Sequence, residues 1–136
     1  MKYIKSLTII LIIMMNSCKT SEVQRSFILG KGGGFTGKYE IFQVKSNGEV
    51  FKVIDGQPAA DMAIKIDKKQ IVALFNEFDK LNITVVNFSY PGNMTYFIRY
   101  SDNNKTYEIK WGSPNVAPPQ NYVAFFEKTW SLIRKK

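Results

Sequence analysis

Short segments in which apolar and polar residues alternate recur along the chain, and this period of two residues predicts β-strands. The predicted strands cover residues 26–29, 38–46, 49–55, 94–100 and 105–111, and residues 63–66 are a candidate for one more short strand. Asn47-Gly48 predicts a hairpin with a type I′ turn, in which both central residues have φ > 0. A glycine-rich connection is predicted at residues 30–37, and the first hairpin is predicted to end at residues 56–58.

Two longer segments follow the helical period, because their apolar residues return every three or four positions. Asp67 is predicted to cap the first helix, which ends near Asn82, and the second helix is predicted to start near Pro119. The predicted buried faces comprise Ile71, Leu74, Phe75 and Phe78 in the first helix, and Tyr122, Phe125, Phe126, Thr129, Trp130 and Ile133 in the second. The order of elements predicts an α+β fold, in which an antiparallel sheet of four to five strands carries both amphipathic helices on one face.

The beginning of the chain has the features of a secretion signal. Lys2 and Lys5 precede an apolar run over residues 7–15, which is too short to span a bilayer. Ser17 and Cys18, the only cysteine of the chain, follow this run. The segment resembles a bacterial lipoprotein signal with a degenerate lipobox. This resemblance implies that Cys18 carries acyl chains and that cleavage leaves it as the first residue.

The lipoprotein resemblance also implies a domain organisation and a location. It divides the chain into a signal peptide at 1–17, a lipidated tether at 18–25 and a single α+β domain at 26–136. Two or three acyl chains bind membranes stably, so the expected location is the cell envelope. Sorting rules of the family favour the outer membrane over the inner one, because Lys19 and not aspartate follows the cysteine. A plain secretory signal with a chance cysteine and an uncleaved anchor are the alternatives.

The charge of the chain bears on its partners. The formal net charge is +8, a balance often found in nucleic-acid-binding proteins. Here the lysines are spread along the chain, and Lys2 and Lys5 leave with the signal. Nucleic acid is therefore not an expected partner, and a basic surface beside anionic lipid headgroups or an acidic protein is expected instead.

The residue types that the chain lacks exclude much catalytic chemistry. There is no histidine, so histidine triads, histidine metal sites and imidazole acid–base catalysis are excluded. Asp55 and Asp61 flank a turn, and Glu77 and Asp79 lie two positions apart on a helix, where their side chains do not face each other. The sequence therefore predicts a protein that is not an enzyme and that has no metal and no cofactor. An unrecognised carboxylate site is the alternative.

The segment from Gly32 to Lys38 satisfies the pattern G-x-x-x-x-G-K of a phosphate-binding loop. Such a loop must open a helix, whose N-terminal amides hold the phosphate. A predicted strand follows here, and Tyr39 occupies the position of the magnesium-binding hydroxyl, so a nucleotide is not an expected partner. Loops of this kind still let a backbone approach a partner closely, with Phe35 as an apolar tip.

The sequence Gly33-Gly34-Phe35-Thr36-Gly37 lies after the first predicted strand and before a hairpin, a helix and a final amphipathic helix. This arrangement resembles the emfourin-type family of small inhibitors of thermolysin-like metalloproteases. The likeness covers about residues 26–134 in layout and Gly33, Gly34, Phe35 and Gly37 in motif. Two hypotheses follow: a non-catalytic lipoprotein that binds another envelope protein, and an inhibitor of a metalloprotease. The inhibitor would use the loop around Phe35, and the envelope-binding lipoprotein would use its sheet face or its aromatic loops. Residues 33–37 are the candidate partner-binding residues.

Overall fold

The computed structural model describes residues 23–135, so the predicted signal peptide and Cys18 lie outside the described residues. The strands are β1 (Ser26–Gly33), β2 (Lys38–Lys45), β3 (Glu49–Ile54), β4 (Gln57–Lys65), β5 (Met94–Asp102) and β6 (Lys105–Trp111). The helices are α1 (Lys68–Lys80) and α2 (Gln120–Arg134), and a 3-10 helix at Gly34–Thr36 joins β1 to β2. In the described part of the chain, no helix has the length and apolar character needed to cross a membrane.

The strands form one six-stranded sheet in the order β4-β3-β2-β1-β5-β6, and neighbouring strands are antiparallel throughout. The expected α+β class with an antiparallel sheet is confirmed, whereas the expected four to five strands are wrong. The difference lies at Gln57 and Pro58, which begin β4 and do not end a hairpin. Pro58 fits this strand because β4 lies at the edge of the sheet, where one side of the backbone needs no partner.

One face of the sheet carries the hydrophobic core. Leu29 pairs with Phe42 on one side and with Ile98 on the other, and Ile98 pairs in turn with Ile109, so these four side chains form a row. All four are buried. Both helices contact this face, since Phe27 lies against Phe75 and Phe78 of α1 and against Phe125 of α2.

The helices begin close to where the sequence predicts, and they bury the predicted residues. The Asp67 carboxylate accepts a hydrogen bond from the Gln70 amide at 3.0 Å and caps α1, as predicted. The predicted buried residues of both helices are buried. Pro119 is the N-cap of α2 and not its first helical residue. The buried Tyr122 hydroxyl of α2 donates to the Leu81 carbonyl at the end of α1, which joins the two helices.

The turn at Asn47-Gly48 differs from the predicted type I′ turn. Only Gly48 has a positive φ, and the Gly48 amide donates to the Lys45 carbonyl at 2.9 Å. Asn47 instead accepts a hydrogen bond on its side chain from the Glu49 amide at 3.0 Å. A two-residue turn with positive φ at both positions lies at Asp55-Gly56, between β3 and β4.

The predicted connection at residues 30–37 is also shorter than expected. Residues 30–33 continue β1, and Gly30 pairs with Ile41 and Phe97 on the neighbouring strands. A Cβ atom at Gly30 would lie 2.6 Å from the ring of Phe97, so glycine makes room for that ring on the sheet face away from the helices. Only residues 34–37 lie between the strands.

Candidate functional site

The candidate partner-binding residues form a tight loop at one end of the sheet. Gly33 ends β1, residues 34–36 form the 3-10 helix, and Gly37 precedes β2. The Gly34 amide donates to the Asn93 carbonyl at 2.6 Å, and the Gly37 amide donates to the Gly34 carbonyl at 3.3 Å. The loop is therefore fixed to the start of β5 and closed on itself. We call residues 33–37 the glycine loop.

Positive φ angles set the path of the glycine loop. Gly33 has a φ of 103°, and a Cβ atom there would lie 2.4 Å from the Asn93 carbonyl oxygen. Gly37 has a φ of 61°, with open space around its Cα atom. An L-residue is strained at both positions and collides with backbone at the first. These glycines fix a particular loop shape.

Phe35 lies at the tip of the glycine loop, and its side chain is fully exposed. Two more apolar side chains lie near the loop: Met94, which lies beside Gly34, and Tyr39, which lies beside Gly32 on the opposite face of the sheet. Both are close to half exposed. The loop thus carries an exposed apolar tip, and two partly exposed apolar side chains lie near its base. An exposed phenylalanine on a loop whose backbone is fixed by hydrogen bonds is a candidate contact for a partner.

The sequence identified the glycine loop but not the residues that hold it. Asn93 and Met94 are about sixty positions away along the chain, and they reach the loop because β1 and β5 pair, with Gly33 opposite Met94. The sequence Tyr90-Pro91-Gly92-Asn93 just before them indicates a turn, but a turn pattern gives no pairing partner. The structure also confirms that a strand, β2, follows the loop at Lys38.

Five of the ten acidic residues within 23–135 are in ion pairs. Asp79 binds Arg25 and raises the pKa of this guanidinium. Glu108 binds both Arg99 at 2.6 Å and Lys110 at 2.8 Å. Within residues 23–135, no three side chains of histidine, cysteine, aspartate or glutamate lie close enough together to hold a metal ion.

Lys38 adds a positive charge beside the glycine loop. It begins β2, is exposed, and has no ion pair among the described residues. The nearest described acid along β2, Glu40, pairs with Arg134 of α2. The loop thus combines an exposed apolar tip with one neighbouring positive charge, which suits a partner that offers an apolar pocket beside an acidic group.

Comparison with known proteins does not assign this chain to a family. No protein-family model matches it, and no curated protein matches it in sequence.

Proposed function

We propose that this protein is a non-catalytic, membrane-anchored lipoprotein of the bacterial envelope, and that it binds another envelope protein through the glycine loop. The observation that carries the proposal is the fully exposed side chain of Phe35 on a loop whose backbone is bonded to Asn93. Because the loop is already ordered, a partner that binds it has little conformational entropy to remove.

The position of the glycine loop supports this proposal. The lipid would be attached at Cys18, before Ser26 at the start of β1, whereas the loop follows Gly33 at the other end of the same strand. Eight residues at about 3.3 Å each separate these ends by about 25 Å. A membrane-anchored domain would therefore be able to present Phe35 away from the lipid, toward another envelope component.

Site-specific crosslinking in cells tests the proposal. A photoreactive phenylalanine analogue at position 35 is expected to form an adduct with one dominant envelope protein. The same analogue at the exposed Val85, which lies outside the glycine loop, is the matched control and should not form this adduct. Adducts with lipid alone, or the same adduct from both positions, would exclude the glycine loop as the binding site.

Inhibition of a thermolysin-like metalloprotease is the second candidate function. The observation that favours it is the backbone-fixed glycine loop with Phe35 exposed at its tip, which would enter a protease cleft as a preformed wedge. Titration of the purified protein against such a protease is the test. Inhibition that weakens at least tenfold in Phe35→Ala and not in Val85→Ala would support it, and no inhibition at micromolar concentration would exclude it.

A further inference from the structure

A second candidate site lies in a cavity of about 500 Å³ between α2 and the sheet. Its floor is a row across three neighbouring strands, because Lys31 of β1 pairs with Tyr96 of β5, and Tyr96 pairs with Trp111 of β6. Phe126 and Trp130 of α2 form the wall. The volume lies within the range of small-molecule sites.

The aromatic side chains that line this cavity form two stacked pairs. Tyr96 stacks on Trp111 with ring planes 12° apart, and Phe126 stacks on Trp130 with planes 13° apart. The two stacked pairs meet almost at right angles, since the planes of Trp111 and Phe126 are 87° apart. These rings give the cavity an apolar aromatic surface, against which a planar apolar group can pack.

Two cations lie over the Trp130 ring: Lys31, which lines the cavity, and Arg134, which is outside its lining and paired with Glu40. The Lys31 ammonium is 4.7 Å from the centroid of the Trp130 ring. No ion pair of Lys31 is found within residues 23–135, so its ammonium keeps donors for an anion. The rim carries the neutral Gln120 and Ser131 and the acidic Glu127. Because Lys31 is the cation of the cavity lining and Glu127 is a carboxylate at its rim, a ligand with one negative charge suits the cavity better than a doubly charged phosphate.

We propose that this cavity binds a carboxylate attached to a planar aromatic group, with the carboxylate on Lys31 and the ring against the aromatic surface. The proposal does not depend on a partner for the glycine loop. The ligand chemistry has two sources, a free aryl carboxylic acid and a peptide chain that ends in an aromatic residue.

Tryptophan fluorescence gives a direct test, because the chain has two tryptophans and both line the cavity. The full-length chain in non-ionic detergent is titrated with 3-phenylpropionate and with its neutral analogue, 3-phenylpropionamide. We expect a saturable change with the acid and at least about tenfold weaker binding of the amide, the effect of losing a charged hydrogen bond. No saturable change at millimolar acid, or equal binding of acid and amide, would overturn the proposal.

Three variants locate the binding. Lys31→Met should weaken binding of the acid at least about tenfold, whereas Lys38→Met, which removes a lysine outside the cavity, should leave it unchanged. Glu127→Gln removes the rim carboxylate and should strengthen binding roughly twofold to fivefold. Glu127 is exposed, so this variant tests the proposal even if Lys31→Met fails to fold. Equal affinities in Glu127→Gln and the unchanged chain would contradict the proposed place of the carboxylate.

Two peptides separate the sources of the ligand. Gly-Gly-Phe with a free C-terminus is compared with the same peptide carrying a C-terminal amide. Binding of the free peptide identifies a chain terminus as a ligand, and binding of 3-phenylpropionate alone restricts the site to free acids. Failure of both would overturn the proposal.

Discussion

Replacing Gly33 by alanine tests the geometry on which the glycine loop depends. Gly33 has φ 103° and ψ −138°, a conformation that costs a non-glycine residue about 1–3 kcal/mol. The new Cβ atom would lie 2.4 Å from the Asn93 carbonyl oxygen, which accepts the hydrogen bond of the Gly34 amide. Displacing this carbonyl weakens the bond and adds about 1 kcal/mol. We therefore expect a loss of about 2–4 kcal/mol in the free energy of unfolding.

Gly37→Ala is the matched control for this substitution. Gly37 also has a positive φ, 61°, but nothing lies within 4 Å of an added Cβ atom. Only the backbone strain remains, which is about 1–2 kcal/mol. Gly37→Asn should cost less than Gly37→Ala, because asparagine adopts the left-handed conformation more readily. The difference between the two alanine variants therefore reports the collision with Asn93 together with any extra backbone strain at Gly33.

Urea unfolding of the full-length chain in non-ionic detergent, followed by tryptophan fluorescence, measures these differences. The variants should share the slope of the free energy against urea concentration and differ in midpoint. Equal midpoints for Gly33→Ala and Gly37→Ala would refute the contact between Gly33 and Asn93. In the crosslinking assay, Gly33→Ala should also reduce the adduct from position 35 more than Gly37→Ala does.

Three further predictions concern the anchor, the loop tip and the joint between the helices. Cys18→Ser should abolish incorporation of labelled palmitate and release the protein from the membrane fraction; labelling that persists would exclude Cys18 as the lipid site. Phe35→Ala should reduce partner binding while changing the free energy of unfolding by less than about 0.5 kcal/mol, because the side chain is fully exposed. Tyr122→Phe should cost about 1 kcal/mol at neutral pH through the lost bond to Leu81, as measured by urea unfolding. Burial raises the pKa of Tyr122, so as the pH rises through the ordinary tyrosine value the unfolded chain loses this proton first and stability falls. Tyr122→Phe should reduce that alkaline loss, whereas Tyr90→Phe, at an exposed tyrosine, should not.

The helices could be predicted from the sequence because their signals are local. Asp67 caps the amide of Gln70, three residues away, and the apolar period that follows selects the buried face. The bounds of β1 and β4 were harder to predict, because a strand is stabilised by partner strands that are distant in sequence. At Asn47 the side chain of asparagine satisfies the Glu49 amide, and this bond favours a turn other than the one its dipeptide predicts.

The glycine-rich segment shows why the candidate site could be predicted only in part. Its residues read as one motif, but the structure divides them between two roles. Gly30 lies within β1 and makes room for the ring of Phe97. This role is one of packing and needs no binding partner to explain it. Gly33 and Gly37 instead bend the chain so that Phe35 projects into solvent, which packing does not require. Substitutions at Gly33 and Gly37 therefore change folding and the loop shape together, whereas a substitution at the fully exposed Phe35 separates binding from folding.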